Sequence, residues 1–129
     1  DLANKHDVEK YFIFKGHTSN PESILASCDA LIRPRRTNNP WGRDILEAMA
    51  FELPVITFGD YNIFVENNIT GFLHKEFKIP ETAQNLVELS KNPILCSRLG
   101  KEGKKRIQKL CDGKRQSARL VRVWQNISA

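Results

Sequence analysis

Four arginines crowd one short stretch of this chain. Arg33, Arg35, Arg36 and Arg43 bracket Asn38, Asn39 and the turn Pro40-Trp41-Gly42. Fixed positive charge and amide groups gathered in one place suit a phosphate or diphosphate, which a guanidinium can hold through two parallel hydrogen bonds. Gly42 also opens a helical pattern, and the free N–H groups and positive dipole end of a helix start favour an anion further. Inside that helix Asp44 and Glu47 stand three residues apart, and Arg43 and Glu47 four apart, so each pair shares a face. A plain surface ion pair is the competing reading for these side chains. Two other loops have a similar character, Gly16-His17-Thr18-Ser19 and Gly59-Asp60-Tyr61-Asn62, each leading into an expected helical segment.

Other chemistries find no support. There is no Gly-x-Ser-x-Gly elbow, no Gly-Lys-Ser/Thr phosphate loop and no His-Glu-x-x-His helix. Cys28, Cys96 and Cys111 form no CxxC unit, and their odd number leaves one unpaired, so reduced thiols are the simpler reading. His6, His17 and His74 are equally scattered, and no metal site is expected.

The elements that must position the three loops alternate in type. Tyr11-Phe12-Ile13-Phe14 is aromatic and β-branched and reads as a buried strand. Asn20-Pro21-Glu22 supplies an N-cap, a first-turn proline and an early acid for a helix to about Ser27. Ala30-Leu31-Ile32 reads as a second strand closed by Arg33-Pro34, and Ile45, Leu46, Met49 and Ala50 recur at helical spacing as far as Glu52. Leu53 to Phe58 reads as a third strand, with Pro54 near its start, where a missing N–H is tolerated. One or two helical turns are expected over 62–67, then a fourth strand at Gly71-Phe72-Leu73. Three further helices follow, carrying Ala83, Leu86 and Val87, then Leu95, Leu99 and Ile107, then Leu120, Val121, Trp124 and Ile127, and core packing is the expected role of their apolar faces. Alternating strands and helices imply an α/β fold, a Rossmann-like open parallel sheet with flanking helices and an all-helical C-terminal half. Ligands in such sheets bind beyond the carboxyl ends of the strands, where all three loops fall.

Composition sets the frame. The 129 residues amount to about one domain on the ~150-residue prior, and 40% hydrophobic with 27% charged residues is an ordinary globular balance. No apolar run approaches the ~18 residues of a spanning helix. The start, Asp-Leu-Ala-Asn-Lys-His-Asp, has no leader-like pattern, so a cytoplasmic location is expected. The net charge of +5 is uneven: from Arg98 to Arg122 ten of the chain's 20 basic residues face only Glu102 and Asp112. That tail is either a footprint for an anionic membrane or nucleic acid, or the solvated face of two amphipathic helices. The residues by themselves describe an α/β domain that binds an anion. A non-catalytic basic module for nucleotide or nucleic acid is the alternative, although a tail with the single aromatic Trp124 has no stacking motif and nucleic acid is not expected.

The string Asn39-Pro40-Trp41-Gly42-Arg43-Asp44-Ile45-Leu46-Glu47-Ala48-Met49-Ala50, followed by Leu53-Pro54-Val55-Ile56, resembles the C-terminal donor-binding domain of the group 1 family of retaining glycosyltransferases of GT-B fold. Tyr11 to His17, Asp29 to Pro34, Val65 to Leu73 and Asn92 to Gly103 are similar to flanking family segments. The resemblance implies that Glu47 is the second glutamate of a Glu, seven residues, Glu motif and accepts hydrogen bonds from the donor's ribose. The first glutamate, which contacts the donor sugar in the family, is replaced here by Asn39, an uncharged group that still donates and accepts hydrogen bonds. Gly16, His17, Pro34, Trp41, Gly42 and Arg43 are the further implied donor-binding positions, with Gly59, Asp60, Tyr61 and Asn62 at the diphosphate; where the family often has two glycines, a proline and a glutamate, this chain has Gly59 to Ile63.

The implied reaction moves a hexose from a nucleotide diphosphate sugar to an acceptor hydroxyl with retention, in cell-surface polysaccharide or glycolipid synthesis. No cofactor is implied beyond that sugar nucleotide, which is a substrate. The family's first donor-domain strand and its N-terminal domain, which holds the acceptor sugar or lipid-linked glycan, are absent from residues 1–129. A catalytically dead, single-domain fragment is expected.

Overall fold

The computed structural model describes residues 2–34 and 42–128. Three parallel strands, β1 (Leu31–Ile32), β2 (Val55–Phe58) and β3 (Gly71–His74), form a sheet in the order β1-β2-β3. Leu31 pairs with Val55, and β3 runs beside β2 from Val55 opposite Gly71 to Phe58 opposite His74. The helices are α1 (Leu2–Lys5), α2 (Pro21–Leu25), α3 (Arg43–Ala50), α4 (Ile79–Lys91), α5 (Pro93–Leu110) and α6 (Gly113–Ser128), with a 3₁₀ turn at Glu9–Tyr11. This is the open parallel sheet with flanking helices and a helical C-terminal half that the pattern implies.

Its layers follow from which side chains each helix can bury. On one face of the sheet Ile45, Ala48 and Met49 of α3 pack with Val55 and Val65; on the other, Leu89 of α4 packs with Ile56, Phe58 and Phe72. All four residues of β2 are buried, as a central parallel strand covered on both faces must be. Helix α5 serves both clusters, giving Ile107 to the first and Leu99 to the second. It can lie this close because Gly100 rests on the carbonyl of Glu52, where any Cβ would collide. Glu52 has a φ of 61° in the turn after α3, and Lys104 holds its carboxylate at 2.9 Å. Caps mark the expected starts: the Asn20 side chain accepts from Ser23 N–H, and that of Asn92 from Leu95 N–H.

Four expectations need correction. The face read on α4 is turned outward: Ala83, Leu86 and Val87 are exposed, and Thr82 and Leu89 are the residues that helix buries. Tyr11-Phe12-Ile13-Phe14 is not a strand; its backbone finds no neighbouring strand among the described residues, and all four side chains are exposed. Apolar β-formers become a strand only where their N–H and C=O groups have a ladder to join. Residues 62–67 form no helical turn, because the carbonyls of Asn62 and Ile63, which a helix would turn toward following N–H groups, accept hydrogen bonds from Arg106 instead. The stripe of α6 does not join the core: Leu120, Val121 and Ile127 are exposed, and Trp124 is 59% exposed. The inner face of α5 is already filled by Leu99, Gly100, Gly103 and Ile107, so nothing uncovered remains on it for α6 to bury.

Candidate functional site

Helix α3 begins beside the carboxyl end of β1, and one ion pair fixes that placement. The Arg33 guanidinium, 14% exposed, reaches Asp44 in the first turn of α3 at 2.8 Å. Gly42, the N-cap, lies directly beneath this pair: a Cβ there would overlap the Asp44 carboxylate and come within 2.9 Å of Arg33 Nη2. With no side chain on Gly42, Arg33 and Asp44 can close over the first turn of α3, so an anion reaching its first N–H groups would have to displace the Asp44 carboxylate.

Since Ile45, Ala48 and Met49 take the inner face of α3, Arg43 and Glu47 fall on its outer face. They meet at 2.5 Å across one turn, with Arg43 largely in solvent and Glu47 27% exposed. The hydrogen bond that Arg43 donates to Glu47, and then the charge of Glu47, hold the Arg43 guanidinium above its ordinary range. Of the two spacings noted on α3, that of Arg43 and Glu47 gives an ion pair, whereas Asp44 turns to Arg33, a pairing the spacing does not announce; Glu47 is a part-exposed carboxylate holding a cation that a phosphate could take over.

At the end of β2, Gly59 has a φ of 133°, a conformation that favours glycine, and donates its N–H to the His74 carbonyl at 2.7 Å. An anion at this turn would therefore fall to the N–H groups beyond Gly59. Asp60, Tyr61 and Asn62 are exposed. With no helical turn at 62–67, the site keeps one long helix start, that of α3, and this second turn contributes bare backbone alone. Gly16, with a φ of 64°, and His17 lie exposed on the segment after the 3₁₀ turn and make no hydrogen bond to the sheet among the described residues. Pro34 is exposed directly after β1. Asn39 and Trp41, with Arg35 and Arg36, lie outside the described residues.

The charged tail divides in two. On α5, Arg98 reaches the Asn68 carbonyl, Lys104 holds Glu52, Lys105 holds Glu102, and Arg106 holds the 62–66 turn. On α6, Lys114, Arg115, Arg119 and Arg122 make no ion pair among the described residues. No sequence spacing could have singled out Arg106, since its partners lie 40 or more residues away. The hydroxyl of Thr57, buried in β2, has no hydrogen-bond partner among the described residues.

A cavity of about 670 Å³ opens at the amino end of β1 and β2, lined by Cys28, Asp29, Leu53, Leu89, Pro93 and Cys96 among others. Burial, and then the charge of Asp29, push the Cys96 thiol above its usual range, so it is a poor nucleophile. Among the described residues no three His, Cys, Asp or Glu side chains converge as metal ligands, and no helix is long and apolar enough to cross a membrane.

Comparison with known proteins bears on the family and the fold. The profile of the family described as "Glycosyl transferases group 1" matches residues 1–106. A poly(ribitol-phosphate) alpha-N-acetylglucosaminyltransferase of Staphylococcus aureus (strain COL) is 23% identical over 129 residues, which is 98% of this chain and 25% of that protein. Among solved structures, sucrose-phosphate synthase from Thermosynechococcus elongatus superposes with a TM-score of 0.84 at 22% identity, over 98% of this chain and 32% of that one. Anabaena HepE in complex with UDP superposes with a TM-score of 0.81 at 19% identity, over 92% of this chain and 34% of that one. The chain spans a quarter of the curated relative it matches.

Proposed function

The chain belongs to the group 1 glycosyl transferases, and on that premise we propose that residues 1–129 are the nucleotide-sugar-binding domain of a larger GT-B transferase. The acceptor-holding part lies outside these residues in this reading, so the domain transfers nothing when alone. The observation that carries the proposal is the mouth of α3, where Gly42 makes room for Arg33 and Asp44 to lock the helix to β1, and Glu47 waits one turn in with Arg43 beside it.

On donor binding Glu47 exchanges Arg43 for the ribose hydroxyls, and the released guanidinium turns to the diphosphate. The bond between the sugar's anomeric carbon and the diphosphate oxygen breaks, and a bond to an acceptor hydroxyl oxygen forms on the same face. The hydroxyl proton leaves toward the departing diphosphate. Arg43 and the N–H groups at the start of α3 meet the charge that develops there. Asn39, where the resemblance places a glutamate, holds the sugar through its amide. The substrate is a hexose-bearing nucleotide, and the product is a cell-surface polysaccharide or glycolipid. Support comes from relatives: the curated one acts on poly(ribitol-phosphate), and HepE structures hold UDP or UDP-glucose.

Calorimetry of the domain with UDP, GDP and ADP tests this. One of the three binds, and Glu47→Ala weakens it about tenfold, equivalent to about 1.4 kcal/mol. A domain that binds none of them at millimolar concentration ends the proposal.

One further observation favours a location. Helix α6 contains no acidic residue, four cations and an exposed apolar stripe at Leu120, Val123, Trp124 and Ile127. The stripe recurs at helical spacing, with Arg115 and Arg122 across from Trp124 and Arg119 at its border beside Val123, the form of a helix that lies in an anionic interface. A cytoplasmic enzyme docked on the inner leaflet would meet a lipid-linked acceptor there. The domain should co-sediment with vesicles containing phosphatidylglycerol; equal binding to neutral vesicles rejects docking by charge.

A further inference from the structure

We infer that the junction of α5 and α6 is a second anion site, apart from the mouth of α3, that takes a chain of linked phosphates from solution. A cavity of about 680 Å³ opens there, lined by Lys109 of α5 and by Arg115, Arg119 and Arg122 of α6. Pockets for small ligands run from about 300 to 1,000 Å³, so several phosphates fit. Among the described residues no Asp or Glu lines the cavity, and none of the four cations has an ion pair. On α5, by contrast, Lys104, Lys105 and Arg106 each hold a carboxylate.

The groups that would repel an anion here are already occupied. Of the carbonyls that end α5, that of Ile107 accepts the Cys111 N–H at 2.7 Å, and that of Leu110 accepts the Gln116 side-chain amide at 3.0 Å. Asp112, the one acid between Lys109 and Arg122, accepts the Arg115 N–H at 3.2 Å through its carboxylate. Arg115 and Arg119 stand four residues apart, and Arg119 and Arg122 three, a run of like charge that weakens a helix until something neutralises it.

The shape selects the ligand. Each guanidinium matches two oxygens of a phosphate, but Arg115 and Arg122 are separated by about 10 Å along α6 at ~1.5 Å per residue, which takes more than one phosphate to span. A second cavity of about 310 Å³ shares Lys109 and Leu110 with the first and extends it along α5; its acid, Glu102, is held by Lys105 at 2.7 Å. Arg115, Ala118 and Arg122 lie across α6 from Trp124, so a helix that lowers its apolar stripe onto lipid opens the cavity to water. Among the described residues no aromatic lines it, so nucleic acid bases would find nothing to stack on.

The test is a titration with inorganic tripolyphosphate and with orthophosphate, followed through the Nε–H signals of the arginines. Tripolyphosphate should move Arg115, Arg119 and Arg122 and bind at least about tenfold more tightly than orthophosphate, with an affinity that falls as salt is added. Replacing Arg115 and Arg122 together by Gln should weaken tripolyphosphate about tenfold or more, whereas Leu120→Ser, in the apolar stripe, should change it less than about twofold. If the double variant fails to fold, Lys109→Gln carries the comparison with a loss of about threefold or more. Signals that move at Arg43 alone would put the anion at α3 and overturn the inference. Equal affinities for the two phosphates, a loss in Leu120→Ser as large as in the double variant, or tighter binding of a short oligothymidylate would overturn it too. None of these readings involves UDP, GDP or ADP, so the donor-binding proposal is judged separately.

Discussion

Two runs of four residues, Tyr11-Phe12-Ile13-Phe14 and Val55-Ile56-Thr57-Phe58, are nearly interchangeable by β-propensity, yet they meet opposite fates. The second is the buried centre of the sheet; the first is exposed and pairs with nothing among the described residues. What separates them is company. Val55 to Phe58 has β1 on one side, β3 on the other and helices α3 and α4 across its two faces. Propensity describes how well a side chain suits a pleated surface, while backbone partners decide whether that surface exists.

The comparison breaks hardest at the partner strand. Gly71 lies so close to the Val55 carbonyl that a Cβ cannot fit, so Gly71→Ala should cost about 3 kcal/mol or more by pushing β3 off β2. Urea unfolding measures this, and a loss below about 1 kcal/mol would mean that the strands can separate cheaply. Next comes a matched pair of truncations. Ile56 is 0% exposed and Ile13 is 79% exposed, so Ile56→Ala should cost about 3 kcal/mol and Ile13→Ala less than about 0.5 kcal/mol. Similar losses from the two would show that the first run packs after all.

A gentler change sharpens the contrast from within the buried strand. The Thr57 hydroxyl, without a partner among the described residues, is a polar cost that Val55 and Ile56 do not carry, so Thr57→Val should stabilise the domain by up to about 1 kcal/mol, read as a higher midpoint. Destabilisation would reveal a partner for the hydroxyl.

The smallest effect tests the brace beneath the sheet. The hydrogen bond from Lys104, and then its charge, hold the Glu52 carboxyl below its ordinary value of 4.5. A carboxylate whose folded value is depressed adds stability that is present above its unfolded value and fades as pH falls through the folded one. Stability should therefore decline slightly less in Glu52→Gln than in the wild type as pH is lowered from about 5 to about 3. Parallel declines would leave the pair without effect.

Local signals were readable where the causes were local. Asn20 and Asn92 announce helices by their capping side chains, Pro54 and Gly59 bracket β2, and the spacing of Ile45 and Met49 shows the inner face of α3. At the site, Gly42, Arg43 and Glu47 could be singled out because they share one helix, and the Arg43–Glu47 pair follows from a spacing of four. Long-range causes were not readable. Arg106 looked like one cation of a charged tail, and only the folded chain brings it under Asn62 and Ile63. The same contact cancels the helical turn expected there, and the solvent side of α6 follows from how completely α5 is already covered.

Gly100 has a mechanical meaning beyond close packing. With no side chain between its backbone and the Glu52 carbonyl, α5 has no soft padding at that point. Arg106 follows six residues along the same rod, about 9 Å at ~1.5 Å per residue. A push on the 62–66 turn from a ligand would thus travel down a stiff lever to the root of β2, with little compliance in which to dissipate.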